Sequence, residues 1–336
     1  MATIRDVARR AGVAPITVSR VINGSGAVSD ETRERVELAV AELSYVPNRL
    51  ARSLRSKRTH ILALILTDIT NPFWTTVTRG VEDAASKAGY SVILCNTDES
   101  EKKESQYLRV MLQNQVDGVL LVPARSTNTE SVDFIQELDT LVVVLDRRIP
   151  EASVDVVRCD SEDGAYRLVL LLLSLGHKRI VFLSGPHGIS TAEDRVRGYR
   201  CALSEAGLAE NEMIFYGAFT VMSGYEMASQ LLKLNPRPTA ILASNNFIAV
   251  GAMRAVREAG LRIPEDMAVV GFDDLPDHLI VEPYMTVAAQ PAYEMGQRAT
   301  ELLLNRLSGE VADAHQEIVL PVEVVVRRTS GGPRVT

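Results

Sequence analysis

Four apolar runs, "ILALILTD", "YSVILCNTD", "VDGVLLVPA" and "LVVVLDRR", lie between residues 61 and 148, with turn residues and amphipathic stretches in between. A second series, "RIVFLSG", "MIFYGAF", "TAILASN" and "MAVVGFDD", repeats that order between residues 179 and 274. A strand exposed on one face alternates polar and apolar residues, whereas a strand covered on both faces reads as a continuous apolar run. Helices such as "FWTTVTRGVEDAASKAG" and "AEDRVRGYRCALSEAG" supply the covers, so each series predicts a parallel sheet between helix layers. Two series predict two α/β lobes of similar order, with a crossover between them near Val157–Asp160. The segments "MTVAAQPAYEMGQRATELLL" and "QEIVLPVEVVVRR" then cross back between the lobes.

In such sheets ligands bind beyond the carboxyl ends of the strands. Asp68, Asn71, Asp146, Arg147, Asn245 and Asp273 sit at those ends and are expected to meet in one cleft. Asp146 and Arg147 together offer a carboxylate acceptor and a forked donor, a combination suited to a vicinal diol. Asn245 and Gln290 add amides that donate and accept. Phe73, Trp74 and Phe219 fit either core packing or the flat face of a sugar ring, and as a set at strand ends they are read as binding residues.

Enzyme chemistry finds no foothold in the motifs. There is no Gly-rich dinucleotide loop, no phosphate-cradling loop, and the five His lack metal-ligand spacing. "GPHGIS" is no nucleophile elbow, and Asp273–Asp274 reads as a ligand clamp or a turn. No cofactor and no metal are expected. Cys95, Cys159 and Cys201 are odd in number, far apart and in apolar surroundings, so all three are expected to be buried free thiols in a cytosolic protein. The apolar runs are too short to span a bilayer, and "MATIRDVARRAG" has no leader character.

The net charge of −7 hides an asymmetry. Through Arg58 there are 11 Lys and Arg against 6 Asp and Glu, leaving 25 against 37 for the remainder. A basic head on an acidic body is what a chain needs when only its head touches DNA. The head reads as three short helices. Thr3 caps the first with Asp6 as its capping-box partner, Gly12 ends it, Pro15 opens the second and Ser29 the third. "VPNRLARSLRSKR" follows as a basic linker without a core pattern.

Taken together, "TIRDVARRAGV", "TVSRVIN", "YVPNRLARSL", "NPFW", "VDGVLL", "GHKRIVFLSGP", "RVRGY", "NNFIAVGAMRAV", "VVGFDD" and "VAAQP" resemble the lactose/galactose repressor family along nearly the whole chain. The resemblance implies a helix-turn-helix DNA-binding domain at 1–47, a hinge helix and linker at 48–58, and an effector-binding and dimerisation core at 59–332. That core is similar to periplasmic sugar-binding proteins, with two doubly wound parallel sheets. One lobe would comprise about 59–158 plus 288–319, the other about 159–287 plus 320–332. A homodimer, a pseudo-palindromic operator and a small-molecule effector are implied with it.

Carried over residue by residue, the effector site comprises Asn71, Phe73, Trp74, Asp146, Arg147, Arg195, Phe219, Asn245, Asp273 and Gln290. This set is similar to ribose-type sites, which favours a free monosaccharide such as ribose. A nucleoside, a sugar phosphate or a protein co-regulator remains the alternative within the class, and a sugar-binding transport protein the alternative outside it.

On the DNA side, the family's usual cap serine is replaced by Ala14, a loss of about 1 kcal/mol in cap strength. Pro15 and Ile16 stand where the family meets base edges, and offer only apolar contact, as to thymine methyls. Arg20 is the residue able to fork onto guanine. Thr17, Ser19 and Asn23 are expected at phosphates, while Ser29, Thr32, Tyr45 and Asn48 match backbone contacts of the family. "NRLARSL", which includes Ala51, is too short to hold a helix in water. It is expected to fold when two copies pack in a minor groove, with Leu54 as a wedge that bends the DNA. Effector-driven cleft closure would then change the spacing of the two first lobes in the dimer and so decide whether the hinge helices meet.

Overall fold

The computed structural model describes residues 2–22, 24–45, 58–126, 140–150, 152–275, 284–310 and 314–331. Asn23, Asn48, Ala51 and Leu54, and with them the expected hinge helix, lie outside the described residues. The chain divides into two compact units, Met1–Thr59 and His60–Thr336.

The first unit holds helices α1 (Ile4–Ala11), α2 (Pro15–Ile22) and α3 (Asp30–Glu42). Thr3 and Asp6 exchange the two bonds of a capping box at the start of α1, and Gly12 ends it in the left-handed conformation. Ser29 caps α3 by accepting from the Thr32 backbone N–H at 3.4 Å. Val7, Ala8, Val18, Val21, Val36 and Ala39 close a small core between the three helices. Helical spacing leaves Pro15, Ile16 and Arg20 exposed together on the other side of α2.

The second unit contains two six-stranded sheets. The first pairs β1 (Ile61–Leu66), β2 (Ser91–Asn96), β3 (Gly118–Leu121), β4 (Leu141–Leu145), β5 (Asp155–Cys159) and β11 (Glu317–Leu320) in the order β11-β5-β4-β3-β1-β2, parallel throughout. The second pairs β6 (Ile180–Ser184), β7 (Ile214–Tyr216), β8 (Ala240–Ala243), β9 (Ala268–Phe272), β10 (Thr286–Ala289) and β12 (Glu323–Val325) in the matching order β12-β10-β9-β8-β6-β7. Its edge strand β12 runs antiparallel to β10, a departure from the all-parallel expectation. The expected crossover near Val157–Asp160 falls at Asp160, the end of that range. Residues 155–159 form a full strand of the first sheet, and the chain passes to the other lobe only after it.

Among the described residues, seven further helices cover the sheets: α4 (Pro72–Lys87), α5 (Glu101–Gln113), α6 (Ser161–Ser174), α7 (Ser190–Glu205), α8 (Val221–Leu231), α9 (Asn246–Glu258) and α10 (Ala292–Ser308). Helices α4 and α10 pack on one face of the first sheet, around Leu64, Val77, Val143 and Leu303, and α5 lies on the other. The second sheet is covered by α6 and α7 on one face and by α8 and α9 on the other. The central strands are buried along almost their whole length, which is why they read as uninterrupted apolar runs. The α4–α10 crossing is very close, since a Cβ on Gly296 would fall 2.2 Å from the Val77 carbonyl oxygen and one on Gly80 2.1 Å from that of Tyr293.

The lobes exchange chain three times: after β5, between β10 and α10, and between β11 and β12. Cys95 and Cys159 are buried free thiols as expected, but Cys201 is exposed, on the outer side of α7 with its sulfur 3.6 Å from Glu205. No described helix is long and apolar enough to cross a membrane.

Candidate functional site: the cleft between the lobes

Both sheets have their strand order reversed beside a central strand, between β1 and β3 and between β6 and β8. Loops diverge at such switch points and open a crevice at the carboxyl ends. The two crevices face each other across a cavity of about 490 Å³, within the range of small-molecule sites. All ten residues expected at the effector site line it.

Asp146 follows β4 and Asp273 follows β9. Both adopt left-handed backbone, with φ of 62° and 67°, and both are buried. For a non-glycine residue that conformation is strained, and it turns each carboxylate in at the end of its strand. Burial pushes Asp273 up to about 6, against the pull of Arg195 and of the Gln290 amide, which donates to Oδ1 at 2.6 Å. Burial pushes Asp146 up as well, with Arg195 and Arg147 opposing. Arg195 projects from α7, donates to the Ser244 carbonyl at 2.6 Å, and stacks its guanidinium 4.0 Å from the Phe272 ring centre.

Arg147 is 3% exposed, and its fork is already engaged. Nη1 and Nη2 each lie 2.6 Å from a Glu99 carboxylate oxygen, and Nη1 also reaches the carbonyls of Pro123 and Ala124. The free fork foreseen for a diol is therefore reduced to Nε. Asn71 is similarly occupied. Its Oδ1 caps α4 at the Phe73 N–H, and its amide exchanges two hydrogen bonds, 3.0 and 2.9 Å, with the Asn246 amide of the other lobe. Asn245 caps α9 through Oδ1, leaving Nδ2 outside the cap.

Phe73 and Trp74 pack edge to face, 4.8 Å between ring centres, and belong to the core under the first sheet while still bordering the cavity. Phe219 reaches over Gly185, where a Cβ would meet the ring at 2.2 Å; glycine is the residue that lets this ring sit at the cavity wall. Asp274 is not part of the site, since both its carboxylate oxygens bind Arg327 at 2.7 Å.

Among the described residues, five polar atoms around the cavity are buried without a hydrogen-bond partner: Thr67 Oγ1, Asp146 Oδ1, Gln290 Oε1, Arg147 Nε and Arg195 Nε. Buried polar atoms are rarely left so. Two are acceptors, two are donors, and the Thr67 hydroxyl is both. Hydroxyl groups, which donate and accept at once, fit such a set.

At the far rim the lobes also touch directly. Ser126 donates to the Gly188 carbonyl at 3.0 Å, Ser190 donates its N–H to Ser126 Oγ at 2.8 Å, and Arg125 reaches the His187 carbonyl at 2.7 Å. Sequence reasoning missed Glu99, Asn246 and this serine strap. Nothing in "NTDES" or "NNFIAV" shows which partner lies opposite; only the doubled asparagine hinted at a second amide.

The helical head presents Pro15, Ile16 and Arg20 to solvent, with Thr17 and Ser19 half-buried beside them. Ser29 and Thr32 join their hydroxyls at 2.9 Å at the start of α3, and Tyr45 packs against the head's core.

Two family models match. One, "Bacterial regulatory proteins, lacI family", covers residues 3–48. The other, "Periplasmic binding proteins and sugar binding domain of LacI family", covers residues 59–323. The ribose operon repressor of Halalkalibacterium halodurans is 37% identical over 99% of this chain and 98% of its own. A lac repressor dimer solved with operator and an anti-inducer superposes with a TM-score of 0.87 at 29% identity, covering 98% of this chain and 99% of that one. A LacI family regulator from Enterococcus faecium, solved with bound ribose, covers 81% of this chain and 99% of its own at TM-score 0.72 and 30% identity. This chain belongs to the lacI family of bacterial regulatory proteins, and is a DNA-binding transcriptional regulator rather than an enzyme.

Proposed function

We propose that the protein is a homodimeric repressor whose affinity for a pseudo-palindromic operator is set by a free monosaccharide, such as ribose, held between the two lobes. The two acceptors, two donors and one hydroxyl left unpartnered around a cavity of about 490 Å³ carry this reading. A pentose or hexose satisfies them with its hydroxyls while its C–H face lies against Phe219 and Trp74. The ribose-bound Enterococcus faecium regulator and the ribose operon repressor support the same class of ligand. Calorimetry against a panel of pentoses and hexoses tests it. One sugar should bind with a dissociation constant between micromolar and millimolar, and a panel without any binder would overturn the reading.

On the DNA side, the exposed face of α2 would enter the major groove. Pro15 and Ile16 would supply apolar contacts there and Arg20 the hydrogen-bonded one. Thr17, Ser19 and Asn23, with Ser29, Thr32, Tyr45 and Asn48, would hold the backbone. Ala51 and Leu54 belong to the proposed minor-groove segment, whose bending of DNA would add specificity at a step that no side chain reads. Sugar and operator are then two ligands of one equilibrium.

A further inference from the structure

Glu99 has no part in the reading above, yet it shapes the cavity's charge. It follows β2 on a loop in which two successive non-glycine residues, Asp98 and Glu99, are left-handed, with φ of 52° and 58°. Asn96 donates to the Asp98 carboxylate at 2.6 Å, Lys103 also binds that carboxylate, and Ser100 caps α5 directly after. A strained turn pinned on both sides persists only where its surroundings determine it. Its effect is to set the Glu99 carboxylate in a two-bond fork on Arg147, at 2.6 Å on each side, with the arginine buried and the glutamate still one-third exposed at the rim.

The other cationic groups of the cavity are also matched. Arg125 faces Glu101 at 3.8 Å, outside the lining, and Arg195 has both Asp146 and Asp273 in its field. Among the described residues, five carboxylates and three guanidiniums line the cavity, so acidic groups exceed basic ones. With Glu99 in place, the cavity holds donors for hydroxyls but, among the described residues, no cation without a carboxylate near it for an anionic ligand to meet. Opposite charge removed from water binds strongly only when it is paired, and like charge in a low-dielectric cleft repels.

Resting on the sugar reading of this site, we propose that Glu99 is a specificity-determining residue: by occupying the Arg147 fork it closes the cleft to anionic sugars and keeps it for neutral ones. Removal of its charge uncovers a buried arginine whose fork suits a carboxylate or a phosphate.

Three probes separate charge from shape: D-ribose, its uronic acid and the corresponding uronamide, which shares the furanose ring of the uronate and is nearly isosteric with it but neutral. In calorimetry the wild-type chain should bind ribose and the uronamide, and bind the uronate at least tenfold more weakly than the uronamide. Glu99→Gln and Glu99→Ala should each shift that uronamide-to-uronate ratio by tenfold or more in favour of the acid, and the gain should fade at high salt. If both variants still bind ribose with the wild-type ratio, the role given to Glu99 is wrong. If the wild-type chain binds neither neutral compound, it is the sugar reading that fails, and this one with it.

Discussion

Asp146 and Asp273 are counterparts: each ends the fourth strand of its own sheet, each is left-handed, each is buried, and Arg195 serves both as the counter-charge. A cavity built from two similar lobes thus presents a carboxylate from either side to whatever lies between them. Before a ligand arrives, one guanidinium stabilises two desolvated acids, and both are held above the usual carboxylate range.

That arrangement has a measurable stability consequence. A folded-state value near 6 for Asp273, against 3.8 in the unfolded chain, means the ionised form destabilises the fold above pH 6, and the penalty is relieved as pH falls through 6 toward 4. Two pKa units correspond to about 3 kcal/mol. Asp273→Asn, of equal size and able to keep the Gln290 bond, should therefore raise the melting temperature of the sugar-free protein by a few degrees at pH 7.5. The gain should shrink to about a third of that at pH 4.5 and approach zero below pH 4, and sugar affinity should fall at every pH. Melting curves across pH check this; a gain that grows on acidification would contradict it.

The Asn71–Asn246 amide pair bridges the lobes from the N-terminal ends of α4 and α9. Asn246→Ala leaves the Asn71 amide buried and short of two partners, a cost of about 1–3 kcal/mol. If the sugar binds the closed cleft, its dissociation constant should rise roughly five- to a hundredfold, because closure must now be driven by the ligand alone. Calorimetry of the variant against ribose measures the effect, and an unchanged constant would show that closure does not depend on this pair.

Gly296→Ala should damage the first lobe rather than the site. Its methyl group would fall on the Val77 carbonyl of α4, and backbone cannot swing aside as a side chain can. Overpacking of this kind costs about 3 kcal/mol. Chemical denaturation should show that loss with little change in the slope of the transition.

At the DNA end, Arg20→Ala should lower affinity for the best operator and relax preference at one G·C pair per half-site, losing about 1–3 kcal/mol of discrimination. Leu54→Ala should reduce affinity and DNA bend together. Selection from a randomised site library, with a bending assay beside it, tests both. An unaltered preference for Arg20→Ala would place the reading elsewhere.

Sugar and operator should be reciprocal. Whatever factor the sugar applies to operator affinity, saturating operator must apply to sugar affinity. Titration of sugar with and without operator measures both sides, and release of DNA by sugar with no change in sugar affinity would exclude a single linked equilibrium.

The central strands were legible because burial on both faces removes polar residues from the run, as in "ILALIL" and "AVVGF". The strand "DVVRC" is harder to see in the sequence because it alternates buried and half-buried residues beside the edge strand β11. The ten cleft residues were legible as a set, since strand ends converge by topology. Their hydrogen-bond states were not. Whether Arg147 is open or occupied depends on a glutamate 48 positions away, and no local pattern encodes that distance. Cys201 was misplaced for a related reason: a helix of mixed composition has an outer face, and the apolar neighbours of Cys201 in sequence lie on the other one.

The three exchanges of chain between the lobes also govern how the protein can be made. The first lobe needs α10 and β11, so it stays incomplete on the ribosome until residue 320 has been synthesised, long after its first four strands have emerged. The second lobe waits for β12, three residues later. During that interval the first sheet lacks the helix that covers Leu64 and Val143, so apolar surface is exposed to chaperones and proteases alike. A chain cut anywhere before residue 320 therefore loses parts of both lobes, and a nonsense mutation near the carboxyl end should leave no half-working sensor behind.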